Sequence, residues 1–244
     1  MADTFTEFCK QVNPDLVKEI LKRSREARFK NANRIQTSFL SSLEKRALLW
    51  LAERLPRWVN SDHLTLLGFT GQIMAGVSYA LASQSQGWLI AGIGFLAVNW
   101  FGDSLDGTLA RLRRRERPRY GFYVDHMVDS FGALCIMGGL GLSGFMHPYI
   151  AGGLLIGFLL LSIQSYLAAY SIGEFRLSFW NFGPTELRVL LAAGNLALLR
   201  WPRVWEHQYR LFDIGGLVGI VGMAAMVVFY TASNTWRLYH EESR

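Results

Sequence analysis

Residues 99–130 read NWFGDSLDGTLARLRRRERPRYGFYVDHMVDS, four aspartates (Asp103, Asp106, Asp125 and Asp129) set around a cluster of arginines. Apolar chain lies on both sides. Residues 64–102 and 130–173 contain no Asp, Glu, Lys or Arg over 39 and 44 positions. A helical bilayer crossing takes roughly 20 residues. The first tract therefore holds two spans, reversing near Ser83-Gln84-Ser85-Gln86-Gly87. The second is broken at His147-Pro148, which gives a third span near 120–144 and a fourth near 148–172. Residues 184–200 form a shorter fifth span that carries Glu186 and Arg188, and residues 214–236 form a sixth. The expected fold is all-α and integral to a membrane, with six transmembrane helices behind an amphipathic, interfacial N-terminal segment.

Composition agrees with two regimes in one chain. The 244 residues are 51% hydrophobic, whereas residues 1–57 alone carry twelve Lys/Arg and seven Asp/Glu. Three segments are expected: 1–57 cytoplasmic and interfacial, 58–236 a six-helix membrane domain, and 237–244 a short tail. Asn13-Pro14-Asp15 starts a helix, with Leu16, Val17, Ile20 and Leu21 at helical spacing. A second amphipathic helix sets Phe39, Leu43, Ala47, Trp50, Leu51 and Leu55 along one face and ends at Pro56. It either lies on anionic lipid or packs on its own domain. The start MADTFTEFCKQ lacks the apolar core of a secretory signal. Cys9 and Cys135, one in polar and one in apolar sequence, do not suggest a disulfide.

The net charge of +6 does not point to nucleic acid, because most arginines flank apolar runs. Their distribution sets topology instead. The N-terminal segment and the loop after span two are rich in Lys/Arg, which places both, and with six spans both termini, in the cytoplasm. Arg200, Arg203 and Arg210 run against this scheme, on the outer loop between spans five and six. Trp201, Trp205 and Tyr209 suggest that this loop lies flat at the interface.

The aspartates explain the rest. Asp103 and Asp106 share a face at the end of span two, and Asp125 and Asp129 share one at the start of span three. A short loop makes these helices antiparallel neighbours, so the two pairs can converge at the cytoplasmic interface. Four converging carboxylates repel one another unless cations intervene. Mg²⁺, which takes carboxylate oxygens and keeps positions open for phosphate, would answer that need. The pattern suggests a two-metal site for phosphate chemistry.

The spacing D-x₂-D-G-x₂-A-R-x₉-G-x₃-D-x₃-D, from Asp103 to Asp129, resembles the signature of the CDP-alcohol phosphatidyltransferase family at all eight fixed positions. Asn60, Thr65 and Gly68, leading into span one, look like the start of that family's first helix. Residues 1 to roughly 40 lie outside the resemblance. The resemblance implies that an acceptor hydroxyl attacks the β-phosphate of a CDP-linked donor and that CMP leaves. Asp103, Asp106 and Asp125 would be ligands of two Mg²⁺ or Mn²⁺ ions. Asp129 would complete the metal site and serve as the candidate general base. Asp103, Gly107, Ala110, Arg111 and Gly121 would bind CDP. The small residues would allow close backbone approach, although Gly107 and Ala110 also suit tight helix packing. The partners implied are the CDP-linked donor, an alcohol acceptor, membrane lipids and a second copy of the chain, in a bacterial or archaeal inner or plasma membrane.

Several features stay open. Residues 113–119 are either a topology signal that meets lipid headgroups or a guide for anionic ligands. Glu186 and Arg188 either contact substrate at the cytoplasmic end of span five or anchor it at the interface. His63, His126 and His147 read as structural or interfacial, and Gly138, Gly139, Gly141, Gly152 and Gly153 as sites of close helix packing. A diacylglycerol-linked donor with a small polar acceptor is preferred to a diacylglycerol acceptor of the choline or ethanolamine type. A divalent-cation transporter is the competing class, disfavoured because spans one, four and six continue no acidic path. The orientation is open to direct test. In a background with Cys9 and Cys135 replaced by serine, Arg115→Cys should react with an impermeant thiol reagent only from the cytoplasmic side. Labelling in intact cells would reverse the topology.

Overall fold

The structure is a computed structural model that describes residues 33–35, 41–176, 183–201, 203–204 and 209–243. Helix α1 (Ser41–Arg54) precedes α2 (Ser61–Leu81), α3 (Gly87–Leu112), α4 (Pro118–Leu142) and α5 (Pro148–Ser171). Two further helices, α6 (Pro184–Arg200) and α7 (Leu211–Glu242), complete the bundle. Four very short strands supplement it. β1 (Asn33–Ile35) pairs in parallel with β2 (Glu174–Arg176), and β3 (Arg203–Val204) pairs antiparallel with β4 (Tyr209–Arg210). The expected helix at Asn13-Pro14-Asp15 and Cys9 lie outside the described residues. Cys135 is a free thiol.

The architecture is all-α, and α2, α3, α5 and α7 are long and apolar enough to cross a membrane. The other two expected spans fall outside that set for visible reasons. α4 opens with the polar stretch that bears Arg119, Asp125 and Asp129, and α6 has only 17 residues, Glu186, Arg188 and Arg200 among them. Exposed apolar side chains such as Ile156, Ile163, Leu167, Val218 and Val228 cover the outside of α5 and α7, as a bundle in contact with lipid requires.

α2 is the central element, and glycines set its distances to both neighbours. A Cβ at Gly102 of α3 would overlap backbone atoms of Gly68 and Leu64 on α2. On the other side, a Cβ at Gly139 of α4 would overlap the carbonyl of Gly76. Lipid tails are as apolar as the side chains, so packing and interhelical hydrogen bonds hold such helices together, and small residues permit it. Asn99 adds one of these bonds: it is buried, and its Nδ2 donates to Gly68 O at 3.1 Å.

α1 differs in detail from its expected face. Leu48 and Ala52 are buried with Val59, Leu64, Leu105 and Leu109, and Leu51 and Leu55 pack against them. Trp50, expected on the same apolar stripe as Leu51, is instead 54% exposed, as is its neighbour Leu49 at 48%. The helix thus packs on α3 and still presents large apolar side chains outward. Of the two roles its sequence left open, packing on its own domain is the one these contacts show. The glycine seam makes a stability prediction. Gly102→Ala should destabilise purified protein by about 1–3 kcal/mol, the usual cost of overpacking. Gly94→Ala, where a Cβ meets nothing within 4 Å, should not. Thermal unfolding in detergent compares the two, and equal midpoints would remove the seam from the account.

Candidate active site

The tight turn between α3 and α4 brings the two aspartate pairs together. Among the described residues, Asp103, Asp125 and Asp129 each offer a carboxylate oxygen, all within 4.8 Å of one another. Asp106 stands beside this trio with a different set of partners. Its Oδ2 accepts from Thr65 Oγ1 at 2.6 Å and its Oδ1 from its neighbour Gly107 N at 2.5 Å. All four line one cavity of about 1350 Å³, together with Gly107, Ala110, Arg111, Gly121 and Arg188. That volume exceeds an ordinary small-molecule pocket and has room for a nucleotide and a second group.

Arg188 reaches the cluster from α6. Its Nη2 donates to Asp103 Oδ2 at 2.5 Å and its Nε to Asn99 Oδ1 at 2.6 Å. One guanidinium against three converging carboxylates leaves excess negative charge at close range, where repulsion is strong in a partly desolvated setting. Hard oxygen donors from three carboxylates suit Mg²⁺ or Mn²⁺ better than softer metals. The residues therefore fit a hard divalent cation. Glu186, paired with Arg188 in the sequence reading, has another contact. It is not among the residues lining this cavity, and its Oε2 accepts from Gly183 N at 3.0 Å at the start of α6, a capping arrangement.

The small residues have separable reasons. A Cβ at Gly107 would come within 3.3 Å of the Arg111 guanidinium, which also donates to Thr108 Oγ1 at 3.3 Å. Gly107 thus leaves Arg111 its position over the cavity. A Cβ at Gly121 meets nothing within 4 Å, so no helix contact requires glycine there. The basic turn divides its work. Arg113 donates to the carbonyls of Leu55, Pro56 and Val59, which ties the α1–α2 connection to the end of α3. Arg117 pairs with Asp62 and lies over the Tyr120 ring. Arg115 and Arg119 line the cavity.

Several residues on or beside the cavity were not singled out as functional from sequence. Glu44 on α1 accepts from Trp100 Nε1 at 2.8 Å, Thr185 Oγ1 at 2.9 Å and Ser104 Oγ at 3.3 Å. It joins α1 to the two helices that carry Asp103 and Arg188. His126, read as structural, lines the cavity and packs against Phe122, Tyr166 and Phe175. Gln72 of α2 donates from Nε2 to Asp129 Oδ1 at 3.4 Å. Asn99 and Gln72 did carry a signal, as amides within the uncharged apolar tract of residues 64–102. Glu44 carried none, because its partners are 56 to 141 residues away.

Comparison with known proteins places this geometry. Residues 58–232 match the family model described as CDP-alcohol phosphatidyltransferase. The archaetidylinositol phosphate synthase of Methanothermobacter thermautotrophicus is 37% identical over 102 residues, covering 41% of this chain and 46% of that protein. The phosphatidylinositol phosphate synthase of Cutibacterium acnes is 34% identical over 84 residues, covering 34% of this chain and 38% of that protein. The chain thus spans less than half the length of either relative. The family match itself takes in α2 to α6, most of α7 and all four aspartates, and by it the chain belongs to the CDP-alcohol phosphatidyltransferase family.

Proposed function

We propose that this protein is an integral-membrane phospholipid synthase. It transfers a phosphatidyl group from a CDP-linked donor such as CDP-diacylglycerol to an alcohol hydroxyl and releases CMP. The observation that carries the reading is the convergence of Asp103, Asp125 and Asp129 within 4.8 Å on the wall of a cavity that also holds Gly107, Ala110 and Arg111. Both relatives are named for inositol phosphate lipids, so a phosphorylated inositol is the first acceptor to test. Six spans, with α4 and α6 crossing beside the four apolar helices, would put the site and both termini at the cytoplasmic face. Residues 1–57 then form a cytoplasmic and interfacial segment, 58–236 the membrane domain and 237–244 the tail. The active unit is read as a homodimer.

In this reading Asp103, Asp106, Asp125 and Asp129 hold two Mg²⁺ or Mn²⁺ ions. Bound there, the ions would neutralise the pyrophosphate and the departing phosphate. Arg111 orients the CDP moiety beside Gly107, Ala110 and Gly121. Arg188 holds Asp103 in place, and its position at the cavity lets it meet an anionic acceptor. The acceptor oxygen forms a bond to the β-phosphorus as the bond from that phosphorus to the CMP oxygen breaks. The hydroxyl proton passes to Asp129, whose position one turn beyond Asp125 suits both metal binding and proton transfer.

Three outcomes test this reading in detergent-purified protein supplied with a panel of CDP donors and alcohols. Asp103→Asn, Asp106→Asn and Asp125→Asn should each bring CMP release to background. EDTA should do the same, with recovery on adding Mg²⁺ or Mn²⁺. Full activity after chelation would remove the metals from the mechanism, and cation flux in liposomes without CMP release would favour a transporter. If Asp129 acts mainly as the base, Asp129→Asn should keep donor binding while turnover falls by roughly 10²–10⁴, the usual contribution of a general base; donor binding weakened in Mg²⁺, as for Asp106→Asn, would mark it as chiefly a metal ligand. Near-normal turnover would remove Asp129 from the proton transfer.

A further inference from the structure

Gln72 sits in the middle of α2, a helix apolar enough to cross a membrane, and is only 6% exposed. Its Nε2 donates to Asp129 Oδ1 at 3.4 Å, near the outer limit for a hydrogen bond. Among the described residues its Oε1 is buried with no hydrogen-bonding partner. The amide occupies space that exists only because residue 132, three positions beyond Asp129 on α4, is glycine. A Cβ at Gly132 would overlap the Gln72 side-chain amide. A buried acceptor without a partner is unfavourable, and an apolar side chain of similar length would fill the same groove without that cost. What the apolar side chain would lack is the N–H directed at Asp129. The amide's orientation is set by the same contact, because the reversed amide would place a carbonyl oxygen against a carboxylate oxygen.

We propose that Gln72 is a positioning residue for Asp129. Its N–H holds one carboxylate oxygen and so presents the other to the cluster formed with Asp103 and Asp125. A neutral donor suits this task. It fixes the orientation of the carboxylate without adding a second cation to compete with Arg188 for the cluster's charge. Two helices contribute to the arrangement, α2 with the amide and α4 with both the carboxylate and the glycine gap. The contact thus depends on the α2–α4 packing that Gly76 and Gly139 set.

The inference rests on the reading of Asp129 as proton acceptor, and the test separates the two. In full-length detergent-purified protein, Gln72→Met should unfold at the wild-type midpoint and keep its KM for CDP-diacylglycerol. Its turnover should fall about tenfold, the scale of one lost hydrogen bond to a charged group. In an Asp129→Asn background the same change should cost nothing further, since coupled residues are not additive. Gly132→Ala, which displaces the amide by a different route, should reproduce the loss and serves if Gln72→Met does not fold. Undiminished turnover, or an equal fractional loss with and without Asp129, would overturn the proposal. A readout independent of activity is the infrared carboxyl band that disappears in Asp129→Asn. It should shift in Gln72→Met, and an unmoved band would overturn the contact. Wild-type protein that released no CMP from any donor would overturn the reading of the site, while the band would still decide whether Gln72 holds Asp129.

Discussion

Backbone contact along α2 is the constraint on which the remaining geometry depends. Gly68 meets Gly102 of α3 on one side, and Gly76 meets Gly139 of α4 on the other. In lipid, burying apolar surface gives little net drive to association, so helices rely on close packing and on hydrogen bonds such as Asn99 to Gly68 O. Gly102 immediately precedes Asp103, so the distance between α2 and α3 also sets the position of the first aspartate. The α2–α4 contact does the same for Asp129, through the Gln72 side chain laid against Gly132. Interior packing transmits small displacements, and a side chain added to this seam would move carboxylates that it never touches.

The second organising force is repulsion among carboxylates brought deliberately close. Three of the four have separate hydrogen-bond partners: Arg188 on Asp103, Thr65 and the Gly107 amide on Asp106, and Gln72 on Asp129. Those partners come from α2, α3 and α6. One of them is cationic and the others are neutral donors, so orientation is well specified while negative charge is left in excess. That combination suits a site for hard cations and phosphate, where geometry must be held before the charge is balanced.

α1 belongs to the site as well as to the packed bundle. Leu48 and Ala52 bury against the start of α2 and the end of α3, and Glu44 gathers donors from α3 and α6 onto one oxygen. Arg113 then fastens the connection between α1 and α2 by its backbone carbonyls. An arginine in a basic turn thereby acts as a structural clamp, while its neighbours Arg115 and Arg119 remain on the cavity wall. Charge counting along a sequence assigns these residues one common role. Their directions at the end of α3 and the start of α4 separate them.

Sequence by itself determined the all-α membrane architecture, because uncharged tracts of 39 and 44 residues have few other stable forms. It also determined that four aspartates and three small residues would meet at one helical hairpin, since i,i+3 and i,i+4 spacing and a short turn are local properties. Contacts between distant elements were decided only by tertiary structure. Arg188 on Asp103 joins residues 85 apart, and Thr185 on Glu44 joins residues 141 apart. The buried face of α1 was decided the same way, since Trp50 and Leu51 are equally apolar in sequence and only the position of α3 turns one of them outward. Asn99 and Gln72 show the boundary most clearly. A lone amide in an apolar helix announces that it has a polar partner, and which partner it has depends on how closely the glycines let the next helix approach.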